Sequence, residues 1–125
     1  MELDIKMDFK SFYDYILSLD KDIRFVGFID DLGRLVYGGM RPGVLSLEHE
    51  TESIKLYMEY ALINKIHSDF DKDLGKIIYS LTIREKIIVL TFPLKKHILR
   101  ISLERQANHE KITNQILDHF KKKDY

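Results

Sequence analysis

No cysteine occurs among the 125 residues, which excludes disulfides, thiolate metal ligands and thiol nucleophiles and leaves the hydrophobic core alone to hold the fold. A reducing, cytoplasmic setting fits such a chain. Net charge is missing too. Twenty Lys and Arg balance twenty Asp and Glu, so no overall field gathers nucleic acid, an anionic membrane or an acidic substrate. Partners must then be selected by shape and local chemistry. Long apolar runs are also absent: Ile87 to Leu90 falls far short of the roughly 20 residues that a membrane span needs. The opening Met1-Glu2-Leu3-Asp4-Ile5-Lys6 lacks the basic start and apolar stretch of a secretory leader. The expectation is a soluble protein with no membrane or nucleic-acid partner and no cofactor.

A chain of 125 residues has room for one ordinary core, so a single domain over residues 1–125 is expected, with 1–7 and 122–125 frayed. Asp8 can cap a first helix that places Phe9, Phe12, Ile16 and Leu19 on one face. Two strands follow, Ile23 to Ile29 and Leu35 to Tyr37, joined through Asp30-Asp31-Leu32-Gly33, where Gly33 can supply the positive φ of a tight turn. The glycine-rich Gly38-Gly39-Met40-Arg41-Pro42-Gly43 reads as a loop that leaves the sheet and crosses to its other face. Ser46 then opens a helix to about Phe70. Its first turn holds Glu48 and Glu50, and Leu47, Ile54, Met58, Ala61, Leu62 and Ile66 lie at helical spacing.

Three apolar segments close the sheet: Ile77 to Leu81, Ile87 to Phe92 and Ile98 to Leu103. Their linkers are too short for crossover helices, so the three run antiparallel. Asn108 caps a final helix with Ile112, Ile116, Leu117 and Phe120 on one face. The order α-β-β-α-β-β-β-α predicts an α/β (α+β) fold with a central five-stranded antiparallel sheet. Ile87-Ile88-Val89-Leu90 is apolar on consecutive residues and Phe25 to Ile29 nearly so, which requires helices on both faces. The first and last helices are expected on one face and the middle helix on the other.

No catalytic signature emerges. Asp69, Asp71 and Asp73 alternate like the start of a calcium loop, but the positions for the turn glycine and the bidentate glutamate hold Leu74 and Ser80, so a solvated loop is expected. His49, His67, His97, His109 and His119 never fall at the i, i+4 spacing of a helical zinc site. Lys95-Lys96-His97 and Lys121-Lys122-Lys123 read as a solvated turn and tail. The best candidate ligand loop is Gly38, Gly39, Arg41 and Gly43, which offers backbone N–H groups and a guanidinium, although no phosphate-loop motif is present and Pro42 removes a donor. An interface is the other candidate. The strand from Lys76 to Thr82 is expected at a sheet edge, and Ile78, Tyr79 and Ser80 carry no proline or charge to discourage pairing there. Tyr57 and Tyr60, with Met58, exceed what a one-sided helix needs for its core stripe, so the middle helix either packs on a partner or is ordinarily buried.

The segment Phe28-Ile29-Asp30-Asp31-Leu32-Gly33-Arg34-Leu35-Val36, followed by Gly38-Gly39, Arg41 and Gly43, resembles the first hairpin of small archaeal proteins of uncharacterised function. Asp69 to Lys76, with Arg84-Glu85-Lys86, is similar to the same group, and the likeness spans most of Phe25 to Leu103. More distantly, the element order is similar to the roadblock/dynein light chain and profilin-like folds. That resemblance implies a homodimer that scaffolds or regulates a small GTPase or another signalling partner. Ligand-sensing domains of related shape imply the alternative, a small-ligand sensor. Neither resemblance assigns site residues, and a non-enzymatic module is the leading expectation.

Overall fold

The computed structural model describes residues 8–48 and 50–123. His49, residues 1–7 and residues 124–125, where fraying was expected at the termini, lie outside the described residues. Helix α1 spans Phe9–Leu19, and the Asp8 carboxylate accepts the Ser11 backbone N–H at 3.1 Å, satisfying a donor that the opening turn leaves free. Its inward residues Phe12 and Ile16 are fully enclosed, each contributing about 1.5–3 kcal/mol of burial.

Strands β1 (Ile23–Asp30) and β2 (Leu35–Met40) form the expected hairpin. Asp30 builds its turn: the carboxylate accepts from the backbone N–H of Leu32 and of Arg34, both at 2.9 Å, and from Arg34 Nε at 2.7 Å. Gly33 takes φ 82°, as the turn requires. Strand β2 runs three residues further than expected, because Gly38 and Gly39 continue pairing with Gly27 and Val26. The crossing to the other face starts only at Arg41.

Helix α2 is Glu50–Ser68, so the expected start at Ser46 is four residues early. Residues 41–48 are spent on the crossing, where Arg24 Nη2 donates to the Leu45 carbonyl at 2.8 Å and Ser46 Oγ accepts the Glu48 N–H at 3.2 Å. A four-residue helix, α3 (Asp71–Leu74), stands where a loop was expected. Strand β3 is Ser80–Ile83 rather than Ile77 to Leu81, followed by β4 (Ile87–Pro93), β5 (His97–Glu104) and helix α4 (His109–Lys123). Asn108 Oδ1 accepts the Lys111 N–H at 3.2 Å and caps α4, which continues through two of the residues expected to fray.

The five strands form one antiparallel sheet in the order β2-β1-β5-β4-β3. Alternation along β5 separates two faces. Leu99, Ile101 and Leu103 join Val26, Phe28, Leu90 and Phe92 beneath α1 and α4, where Phe12, Ile16, Ile112, Ile116 and Phe120 complete the main core. The opposite face holds a smaller cluster of Phe25, Ile29, Ile98 and Tyr57 under α2. The two-sided coverage is as expected, and the two sides are unequal.

Candidate functional site

The proposed ligand loop is dispersed by the fold. Gly38 sits in β2 with φ 105°, where a Cβ would collide with the Val26 carbonyl, so its role is close strand approach. The Arg41 side chain is committed to main-chain carbonyls: Nε donates to Ile23 at 2.7 Å, and Nη2 donates to Leu17 at 2.8 Å and to Asp20 at 2.7 Å. It ties the end of α1 to the sheet instead of offering a free guanidinium. Gly43 lies in a turn beside open space, whereas Gly39 borders a cleft of about 510 Å³ between α2 and the β1–β2 hairpin. Gly38 and Gly39 belong to a strand, so the four residues do not share one loop.

The edge expected near Lys76 exists, displaced along the chain. Strand β3 is the terminal strand beyond β4, and Ser80 opens it. Lys76, Ile78 and Tyr79 precede it outside the ladder, with Tyr79 stacked on Phe92 at 5.8 Å. All four β3 residues are exposed.

Helix α2 has turned relative to its expected stripe. Tyr57, 7 % exposed, and Ala61 face the sheet, while Ile54, Met58, Leu62 and Ile66 stay largely exposed, Ile54 lining the hairpin-side cleft and Met58 lying against the Gly33 turn. The reason lies in spacing: apolar residues occur around most of the helix, and the ring of Tyr57 packs on Phe25 at 6.2 Å, which sets the rotation. Burial pushes the Tyr57 hydroxyl above its ordinary pKa, with the Arg100 guanidinium pulling the other way. Tyr57 and Tyr60 thus belong to the inner side of α2.

That inner side contains a feature which sequence reasoning missed. Arg100, in the middle of β5, is 2 % exposed. Phe25, Tyr57 and Tyr60 surround its guanidinium at 4.9, 5.9 and 5.7 Å from their ring centroids. Nε donates to the Tyr60 hydroxyl at 3.3 Å, and Nη2 lies 3.9 Å from Glu48 Oε1. Arg100 lines a cleft of about 630 Å³ bounded by Leu56 and Tyr60 of α2, by Ile83 of β3 and by the β3–β4 turn. The available signal was a lone arginine inside the apolar run Ile98 to Leu103. No group of three or more His, Asp or Glu able to hold a metal occurs among the described residues.

The fold has counterparts among solved structures. A Roadblock/LC7 domain from Streptomyces avermitilis superposes with a TM-score of 0.63 at 6 % identity, covering 92 % of this chain and 93 % of that one. The gliding protein MglB from Thermus thermophilus gives 0.66 at 12 % identity over 82 % and 76 % of the two chains. An MglB with a tetrameric arrangement gives 0.67 at 11 % identity over 82 % and 75 %. These likenesses show a roadblock/LC7-type fold. No curated protein matches the sequence. The model of the family of unknown function DUF6659 matches residues 2–125, and the chain belongs to that family.

Proposed function

We propose that this protein is a non-enzymatic interaction or regulatory module that works as a homodimer in the cytoplasm. The observation that carries the reading is an unprotected sheet edge next to wet apolar surface. Strand β3 ends the sheet with Ser80, Leu81, Thr82 and Ile83 all exposed, and the exposed Ile78 and Tyr79 precede it. Helix α2 adds Ile54, Met58, Leu62, Ile63 and Ile66, each at least 42 % exposed. Apolar exposure on this scale marks an interaction surface, and an unblocked edge strand is a template for pairing with another chain. Both elements lie at the rim of the cleft beside Arg100, and the pairing proposed here uses their outer residues, which leaves the cleft open.

The roadblock/LC7-type fold supports the same reading, as does the tetrameric arrangement described for one MglB. A small GTPase or another signalling protein is the proposed partner class, resting on fold analogy alone. Membrane insertion is not part of the proposal: no helix among the described residues is long and apolar enough to cross a membrane. Sedimentation of the full chain tests the dimer, and a monomer at high micromolar concentration would sink it. Nucleotide hydrolysis and exchange by a panel of small GTPases, with and without the protein, tests the partner class; unchanged rates throughout would remove it.

A second reading, a small-ligand sensor, is favoured by the cleft of about 630 Å³, a size within the usual range for small-molecule sites.

A further inference from the structure

Arg100 is a buried cation held by weak partners. Three aromatic faces attract it, but an aromatic face is a poor substitute for the oxygen acceptors that five N–H donors normally find. Tyr60 takes Nε at the long distance of 3.3 Å. The carboxylate of Glu48 stays 3.9 Å from Nη2, beyond the roughly 2.8 Å of a charge-assisted hydrogen bond, and also accepts from Ser53 Oγ at 3.1 Å. A guanidinium removed from water in this way calls for a close anion. The cleft gives an anion a route to it.

The rest of the cleft describes that anion. Leu47, Leu56, Ile83, Ile87 and Val89 supply apolar wall, and Arg84 and Lys86 outnumber Glu85 at the β3–β4 turn. A planar two-oxygen head group matches the flat edge of a guanidinium stacked among rings.

We propose that the cleft binds a small organic acid, a monocarboxylate with an apolar body, whose head group takes the place of Glu48 on Arg100 while its body lies along Leu56, Ile83 and Ile87. Glu48 is then an internal competitor: its carboxylate holds the position until the ligand arrives. This inference rests on the sensor reading and is independent of the dimer.

Calorimetric titration of the full chain with octanoate, octanol and inorganic phosphate tests it. Octanoate is expected to bind one per chain, about tenfold or more tighter than octanol, with phosphate weaker still. Glu48→Gln removes the competitor and is expected to tighten octanoate several-fold, whereas Arg100→Met abolishes the preference for octanoate over octanol. Should Arg100→Met fail to fold, the Glu48→Gln comparison decides. Equal binding of octanoate and octanol, stronger binding of phosphate, an unchanged or weaker affinity in Glu48→Gln, or no binding at millimolar octanoate would each overturn the proposal. Sedimentation of the same samples separates the readings. A dimer that ignores octanoate removes the site and leaves the interaction module, while a monomer that binds octanoate does the reverse.

Discussion

The Asp30 carboxylate serves its own hairpin, accepting from Leu32 and twice from Arg34. Burial alone would raise its pKa, but these hydrogen bonds and the Arg34 charge outweigh it and hold the group below its ordinary 3.8. A folded pKa below the unfolded one gives stability that is complete above the unfolded value and is lost as pH falls through the folded value. Asp30→Asn is therefore expected to cost about 1–2 kcal/mol at neutral pH. Urea unfolding should show that gap shrinking as pH falls below the ordinary 3.8, and a gap of constant size would refute the assigned role. Gly38 offers a second test at this scale, because its φ of 105° and the Val26 carbonyl together exclude a side chain. Gly38→Ala is expected to cost about 3 kcal/mol or more, read as a lower urea midpoint; a cost under about 1 kcal/mol would mean the strands can separate to admit a methyl group.

Among the elements, α1, the β1–β2 hairpin and α4 were legible because their signals are local. Asp8 and Asn108 cap the helices they precede, and Asp30 and Gly33 specify the turn between them in sequence. The misread elements depend on distant partners. Gly38 and Gly39 look like a chain break in isolation, yet β1 pairs with both. Residues 77–79 form an apolar run like a strand's, but β4 pairs only from Ser80 onward, opposite Thr91. The site beside Arg100 was hidden for the same reason: its rings come from β1 and from α2, some 40 residues away for Tyr60. The edge of β3 makes a prediction of its own. A lysine is a common block on natural edge strands, so Thr82→Lys is expected to weaken self-association about tenfold or more while changing monomer stability by less than about 0.5 kcal/mol. Leu62→Glu on the outer side of α2 is expected to act in the same direction. Unaltered self-association in both variants, measured by sedimentation velocity, would place the interface elsewhere.

At the scale of the whole molecule, the two faces of the sheet do different work. One is closed by α1 and α4 over a continuous apolar core that fixes the fold. The other carries α2 over a small cluster, with a cleft on either side of the helix and apolar residues turned outward. Stability is concentrated on the first face, and the second with its adjoining β3 edge is the proposed binding surface. The most direct test is sedimentation equilibrium of the full chain from low to high micromolar concentration. The expected result is a concentration-dependent rise to twice the chain mass, and a single chain mass throughout that range would contradict the homodimeric module.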